Sequence, residues 1–287
     1  MGNKLARRVK YIVRVILAYV VALLFLAPIL WMVASSFKKR IDIIVSPPKI
    51  FFNPTILNYH NIFHWSAQET KWGLTYPILR YYGNSLIVSI IAIGIALLLG
   101  IMAAYSLSRF KSKKREQIGI WILSTIMAPP IVFAIPYFMI ARTLGLFDSY
   151  TILIIASITI SLPFTIWMMK SFFDDVPKEL EEAAYIDGCS SLQAFLRISL
   201  PLAKPGIAAT LILSFIIVWN DLVFPLTLTA DRAKTLPAAV QGFLGWTQTF
   251  YGMMAATGVL AIIPVIVIAL IAGKSLISGL TLGAVKG

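Results

Sequence analysis

A chain of 287 residues with 59% hydrophobic side chains, a mean hydropathy of +0.85 and only 13% Asp, Glu, Lys and Arg falls far below the roughly 25% charge of soluble globular domains. These values exclude an ordinary soluble enzyme and indicate an all-α, multi-pass integral membrane protein. The net charge of +13 does not indicate a nucleic-acid partner, because no basic stripe runs along a polar, foldable domain.

Lys4, Arg7, Arg8, Lys10 and Arg14 lead into the charge-free run Val15–Phe37. Short basic flanks stay cytoplasmic, so residues 1–11 are expected inside and a first span at 12–34. The run is longer than a signal-peptide core and lacks an A-x-A cleavage site, so it reads as a retained helix. An outer loop over 35–83 follows. It opens with Lys38, Lys39 and Arg40, on the side that the positive-inside rule disfavours, and carries SPPKIFFNPTILNYHNIF. Trp65, Trp72 and Tyr76 suit headgroup depth, and a short interfacial helix is expected there. His60 and His64 stand four residues apart, a spacing able to chelate a metal on a helix. No Glu lies between them in an H-E-x-x-H frame, and surface or interface residues are the simpler reading.

The second span, 84–107, ends in the basic turn Arg109, Lys111, Lys113, Lys114 and Arg115, which stays inside. The third, 118–141, and the fourth, 150–170, are joined by the outer turn RTLGLFDSY. A fifth is expected at 207–229 and a sixth at 253–272, each near the roughly 20 residues that a bilayer requires. The tail 273–287, with Lys274 and Lys286, returns inside, so both termini are cytoplasmic. Pro28, Pro129, Pro130, Pro136, Pro163, Pro225 and Pro264 lie in or beside spans. Each removes an amide donor and can bend a helix, although such breaks also occur in membrane helices for structural reasons alone. The lone Cys189 excludes an intrachain disulfide.

Between the fourth and fifth spans, residues 171–206 form the one inner loop large enough to fold by itself. Pro177 and Lys178 start a helix, Glu179, Glu181 and Glu182 suit its amino end, and Gly188 can take positive φ and stop it. Ala183 and Ala184 keep one surface small. Ser190 or Ser191 can cap a second helix, on which Leu192, Phe195 and Leu196 are spaced to bury one face. Either an amphipathic loop packed on its own bundle or a protein-docking element fits this pattern.

Within it, Glu182-Ala183-Ala184, then Asp187-Gly188, then Ile198-x-Leu200-Pro201 match the EAA, G, I-x-LP spacing of permease subunits of ATP-binding-cassette importers. Trp219-Asn220-Asp221 with Pro225-Leu226, TLPAAVQGF at 235–243, and the ending Gly279-Leu280-Thr281-x-Gly283-Ala284-Val285-Lys286-Gly287 narrow the likeness. The chain resembles the MalG-like sugar permeases of the binding-protein-dependent transport system inner membrane component family, from about residue 10 to the end.

The resemblance implies a type I importer fold of six spans as a single transmembrane domain, 1–287, in the prokaryotic cytoplasmic (inner) membrane. It implies as partners a homologous second permease, two ATP-binding-cassette ATPase subunits and an extracytoplasmic sugar-binding protein. The 178–188 helix would seat in an ATPase groove, with Glu182 and Asp187 orienting the loop, Ala184 keeping the contact close and Gly188 making the bend. The tail, through Gly283, Lys286 and Gly287, would reach toward the ATPase dimer. The chain has no G-x-x-x-x-G-K-[ST] phosphate loop, so no cofactor is expected on it and ATP-Mg belongs to the partner subunits.

For the path itself, Asn220 and Asp221 are the most conspicuous polar pair inside a span, with Trp219 alongside. Polar groups there line a cavity or find partners on a neighbouring helix. Ser157, Thr159 and Ser161 alternate and cannot all face one side, and Trp167 and Tyr137 suit stacking on a sugar or anchoring at an interface. An importer permease for another solute, or an ion-coupled carrier with Asp221 as its carboxylate, are the alternatives.

Overall fold

The computed structural model describes residues 2–64, 77–110, 114–244 and 249–284, so Trp65, Trp72, Tyr76, Lys111, Lys113, Lys286 and Gly287 lie outside the described residues. The helices are α1 (Gly2–Ser36), α2 (Arg40–Ile44), α3 (Leu57–His64), α4 (Ile78–Arg109), α5 (Arg115–Ile126), α6 (Pro130–Thr143), α7 (Tyr150–Asp175), α8 (Lys178–Ile186), α9 (Ser191–Ala194), α10 (Leu200–Leu202), α11 (Lys204–Trp219), α12 (Val223–Leu228), α13 (Leu236–Val240) and α14 (Tyr251–Ala284). A π-turn, Phe195–Ser199, joins α9 to α10.

Among the described residues, four unbroken helices are long and apolar enough to cross a membrane: Lys10–Ser36, Ile78–Arg109, Tyr150–Asp175 and Tyr251–Ile271. Two further spans arise only if bent pairs are counted as one each: α5 with α6, bent by 86°, and Ser191–Leu202 with α11, bent by 69°. The third expected span is therefore broken. Pro129 takes an extended conformation and Pro130 starts the next helix, because neither proline supplies the amide that continuity requires. Single prolines at 28, 163 and 264 stay inside α1, α7 and α14. The fifth expected span, 207–229, ends early at Trp219, and α12 follows a break at 220–222. The expected tail is helical through Ala284.

The chain falls into two compact units. In the first, residues 1–78 and 240–262, the segment after α1 folds back on itself. Asn58 on α3 donates to the carbonyls of Ser36 at 2.8 Å and Lys38 at 2.9 Å. Tyr59 shares a hydrogen bond with Ser36, and the Thr55 amide donates to Phe37 at 2.8 Å. The Lys38 side chain is fully buried, with Nζ 3.7 Å from the Trp31 ring centroid and 5.0 Å from that of Phe52. A cation–π site of this kind accommodates an ammonium without a carboxylate. Lys49 pairs with Asp42 at 2.7 Å. The basic cluster Lys38–Arg40 is thus partly a folding element. His60 and His64 stack on α3 at 4.4 Å, and no group of three potential metal ligands occurs among the described residues.

The second unit, 79–239 and 263–287, packs α4, α7 and α11 through small residues, as membrane bundles require. A Cβ on Gly100 would lie 2.6 Å from Thr165, and one on Gly206 would overlap the Phe172 ring. Thr165 bonds to the Ser161 carbonyl and approaches Ser214 of α11 at 3.3 Å. At the other end of the unit, Asp148, with φ +59, ties down the loop before α13. Its carboxylate accepts the amides of Asp231, Arg232 and Ala233 at 2.9–3.1 Å. Asn84 donates to the carbonyls of Arg232 and Lys234, and Tyr150 donates to Asn84. Burial pushes the Asp148 carboxyl up, but the backbone N–H groups of residues 230–233 outweigh it and hold it below the usual aspartate value of 3.8.

A depressed pKa in the fold means that this stabilisation is complete above the ordinary aspartate range and is lost as pH falls through the folded value. Asp148→Asn is expected to cost about 1 kcal/mol, allowing for solvent access, and to speed hydrogen exchange at amides 231–233 at neutral pH. The wild type should show the same loss of protection only as pH falls through the folded value, below the ordinary aspartate range. Identical exchange in the two proteins at pH 7 would refute the anchor.

Candidate functional site

The 176–206 segment folds from its own capping signals. α8 begins after Pro177, with Glu179 and Glu181 in its first turn, where the helix dipole favours acids. It ends in a Schellman motif: the Cys189 amide bonds to the Ala184 carbonyl at 2.9 Å, the Gly188 amide to Tyr185 at 3.1 Å, and Gly188 takes φ +84. Ser190 then caps α9 in a reciprocal box with Gln193. The π-turn and α10 lead to a sharp bend at Ala203, where α11 enters the bundle.

What fixes this segment to the spans is Glu181, only 3% exposed. Its carboxylate accepts from Arg109 Nε at 2.7 Å, from the Tyr105 hydroxyl at 3.0 Å and from the Ser199 hydroxyl. Tyr105 and Arg109 belong to the end of α4, Ser199 to the π-turn. Arg109 also donates to the Val176 carbonyl at 3.0 Å and to Ser108 at 3.1 Å. Ser108 donates to Asp174, which pairs with Lys170 one turn earlier on α7. Arg115 Nη1 donates to the Ser108 carbonyl at 3.2 Å. Four elements thus converge on one buried ion pair. Beneath it Tyr105, Phe173 and Phe195 pack at 4.6–6.2 Å between ring centroids, against a core of Ala104, Ile166, Met169 and Ala203.

The motif residues distribute around this anchor. Glu182, Ala183, Asp187 and Gly188 are exposed, Ile198 and Leu200 are half-buried, and Pro201 is exposed. Ala184 does not face outward as expected. It is buried on the inner side of α8, because the Glu181 contact turns that side toward α4. Leu192 and Leu196 likewise stay exposed and only Phe195 points inward, since the π-turn changes the register on which the spacing argument depends. Leu180 and Ile186, the latter 88% exposed, join them as an outward apolar rim, whereas the partly exposed Tyr185 hydrogen-bonds Tyr105 of α4. Sequence reasoning missed Glu181, Arg109, Tyr105 and Ser199 as a set. Arg109, the first cation after a long charge-free run, was the available signal.

The second predicted group is not a cluster of free polar side chains. Trp219 is buried, stacked on Phe215 at 5.3 Å and edge-on to Tyr82 at 5.7 Å. Asn220 is exposed and donates back to the Ile216 carbonyl at 2.8 Å. Asp221 Oδ1 accepts the Val223 amide at 3.1 Å, whereas Oδ2 is buried with no hydrogen-bond partner. Ser157 and Ser161 are buried on α7, while Thr159 bonds to Tyr137. Gly283 lies in the last turns of α14.

Long apolar helices, two of them broken pairs, joined to a rigidly anchored polar loop define a polytopic membrane permease component. The family model for binding-protein-dependent transport system inner membrane components matches residues 96–280. The trehalose transport system permease protein SugB of Mycobacterium tuberculosis is 38% identical over 91% of this chain and 93% of that protein. The trehalose/maltose transport system permease protein MalG of Thermococcus litoralis is 32% identical over 97% and 98%. In fold, the chain matches one from a bacterial ABC transporter involved in the import of the acidic polysaccharide alginate, with TM-score 0.72 and 23% identity over 94% of this chain and 98% of that one. The chain belongs to the binding-protein-dependent transport system inner membrane component family.

Removing Arg109 leaves Glu181 buried without its counter-charge, a loss of about 3–5 kcal/mol for such pairs. Arg109→Ala should therefore lower the melting temperature of the detergent-solubilised protein sharply, and adding Glu181→Gln should restore part of it. A double variant no more stable than the single one would show that the pair is incidental.

Proposed function

We propose that the chain is the permease subunit of an ATP-driven carbohydrate importer and that it receives mechanical work through α8. The observation that carries this reading is the combination of exposed apolar side chains, Leu180 and Ile186 on α8 with Leu192 and Leu196 beyond it, with an inner face bolted to α4 by Glu181 and Arg109. Such a helix suits docking in a groove of a separate ATPase subunit, with Glu182, Ala183 and Asp187 at the contact and Ala184 supporting it from behind. Two ATPase subunits carrying ATP-Mg, a homologous second permease that completes the path, and an extracytoplasmic sugar-binding protein are the partners. The chain itself needs no cofactor and performs no hydrolysis.

In this arrangement the chain sits in the cytoplasmic membrane with both termini and the 171–206 loop inside. The tail at Gly283, Lys286 and Gly287 extends toward the ATPases. Asn220 and Asp221 line the path at the break between α11 and α12, with Trp219 as their aromatic support. Sugar is favoured over other solutes by relatives named for trehalose, maltose and diacetylchitobiose transport at 32–38% identity. A methionine ABC transporter chain is the weaker likeness, with TM-score 0.57 over 70% of this chain.

Gly188 supplies the test. Its positive φ costs an L-residue roughly 1–2 kcal/mol, least for Asn and most for a β-branched side chain. In the reconstituted importer, Gly188→Val should assemble in the membrane yet abolish sugar uptake, with Gly188→Asn intermediate. Normal uptake by an assembled G188V complex would exclude α8 as the coupling element. Uptake by the chain alone on an ion gradient, with no ATPase recovered beside it, would overturn the importer reading.

A further inference from the structure

Two loops meet at the end of the second unit from which α7 starts, the end away from α8: residues 144–149, between α6 and α7, and residues 229–235, between α12 and α13. They form one rigid platform. The Asp148 carboxylate accepts the amides of Asp231, Arg232 and Ala233, and its own amide donates to the Leu228 carbonyl at 3.0 Å. Asn84 donates to the carbonyls of Arg232 and Lys234, so Arg232 is held by both its N–H and its C=O.

The carboxylates of this platform are satisfied inside the chain. Asp148 is surrounded by amides, and Asp231 pairs with Arg80 at 2.6 Å, accepts from the Tyr81 hydroxyl at 2.8 Å and attracts Lys234. Two cations are not balanced in this way. The Arg232 side chain is exposed and makes no hydrogen bond or ion pair among the described residues. Arg142, in the last turn of α6, is also exposed, with Cζ 4.1 Å from the Phe147 ring centroid and 5.2 Å from that of Phe138. Those two rings pack edge to face at 5.8 Å. Stacking holds a guanidinium by its faces and leaves the N–H groups in its plane free to donate, and no carboxylate or carbonyl among the described residues accepts from them. Much of the rotamer freedom that an arginine loses on binding is therefore lost in advance. The two arginines share one body, because Phe147, on which the first stacks, precedes Asp148, which holds the amide of the second. Leu144, in the same turn, is 66% exposed.

Fixed guanidinium forks beside an exposed leucine suit the face of a folded protein. Planar donors pair with carboxylates in bidentate geometry, and arginine is enriched where such contacts concentrate their energy. A lipid headgroup would be served as well by flexible lysines, so rigid forks favour a partner whose own acids are fixed. We propose that Arg142 and Arg232 are the docking platform for an acidic surface of the extracytoplasmic sugar-binding protein. The proposal rests on the importer reading above, which supplies the partner and the side of the membrane. It adds the surface and the sign of its charge.

The experiment is surface plasmon resonance with the importer's own binding protein, purified and sugar-loaded, over the complete importer in phosphatidylcholine nanodiscs at low and high salt. Arg142→Gln/Arg232→Gln should slow association on the order of tenfold at low salt and flatten its salt dependence. Arg232→Lys should bind as wild type does, because charge alone is needed there. Arg142→Lys should bind more weakly, because an ammonium cannot replace a stacked fork. An assembled double variant that associates at the wild-type rate at low salt would overturn the proposal. So would a defect seen only when phosphatidylglycerol is added to the nanodiscs, since the pair would then be a headgroup contact. Failure of the wild-type importer to bind the protein at all would instead refute the importer reading, and the platform with it.

Discussion

The fold of the second unit depends on a charge that has been taken out of water. Desolvating Glu181 costs several kcal/mol, and the cost is offset only where geometry and extra hydrogen bonds are good. Here one guanidinium and two hydroxyls converge on the carboxylate, and they come from two different elements. Rotating α8 about its axis would break all three contacts at once. The helix is therefore locked in orientation relative to α4 and the π-turn, with Ala184 and Tyr185 sharing the inner side and Leu180 and Ile186 turned away from it. Their exposure follows from the ion pair and is not a separate feature.

Elsewhere the chain solves the same electrostatic problem differently. Asp148 is held by backbone N–H groups, without a cation, and Lys38 by aromatic rings, without an anion. Each solution suits its task. An amide cluster pins a loop along several successive residues, a cation–π contact lets a basic residue sit among apolar groups at a membrane boundary, and a charged pair joins elements distant in sequence. Of the three, only the pair links a loop to the end of a long span in a way that resists being pulled apart.

Much of this was legible in the chain. Charge-free runs located the apolar helices, and the order Pro177, Gly188, Ser190 announced a helix, a left-handed turn and a new cap, all of which form. The facing of the helix was not legible. Glu181 and Glu182 are adjacent acids about 100° apart on the same helix, and nothing local says which is buried. Arg109, far away in sequence, decides it. The prolines show a similar limit. Pro163 is accommodated within α7, whereas the pair at 129 and 130 breaks its span by 86°, because two consecutive missing amides leave no donor to share between neighbouring turns. The expected span at 207–229 stops early for a third reason: Asn220 returns its amide to the turn before it, and Asp221 starts a new local turn.

These constraints determine where motion of α8 can go. α7 is clasped against α4 at Gly100 and against α11 at Gly206, contacts so close that a methyl group would collide, and such interlocked surfaces slide poorly. α8 reaches the bundle through its covalent link to α7 and through Arg109 on α4, which also grips the Val176 carbonyl between α7 and α8. A force on the apolar rim is therefore divided between α4 and α7 at the same level, and the two helices move together as one block. The bend at Ala203 lies between Ser199, which bonds Glu181, and Gly206, which is clasped to α7, so both of its sides are tied to that block.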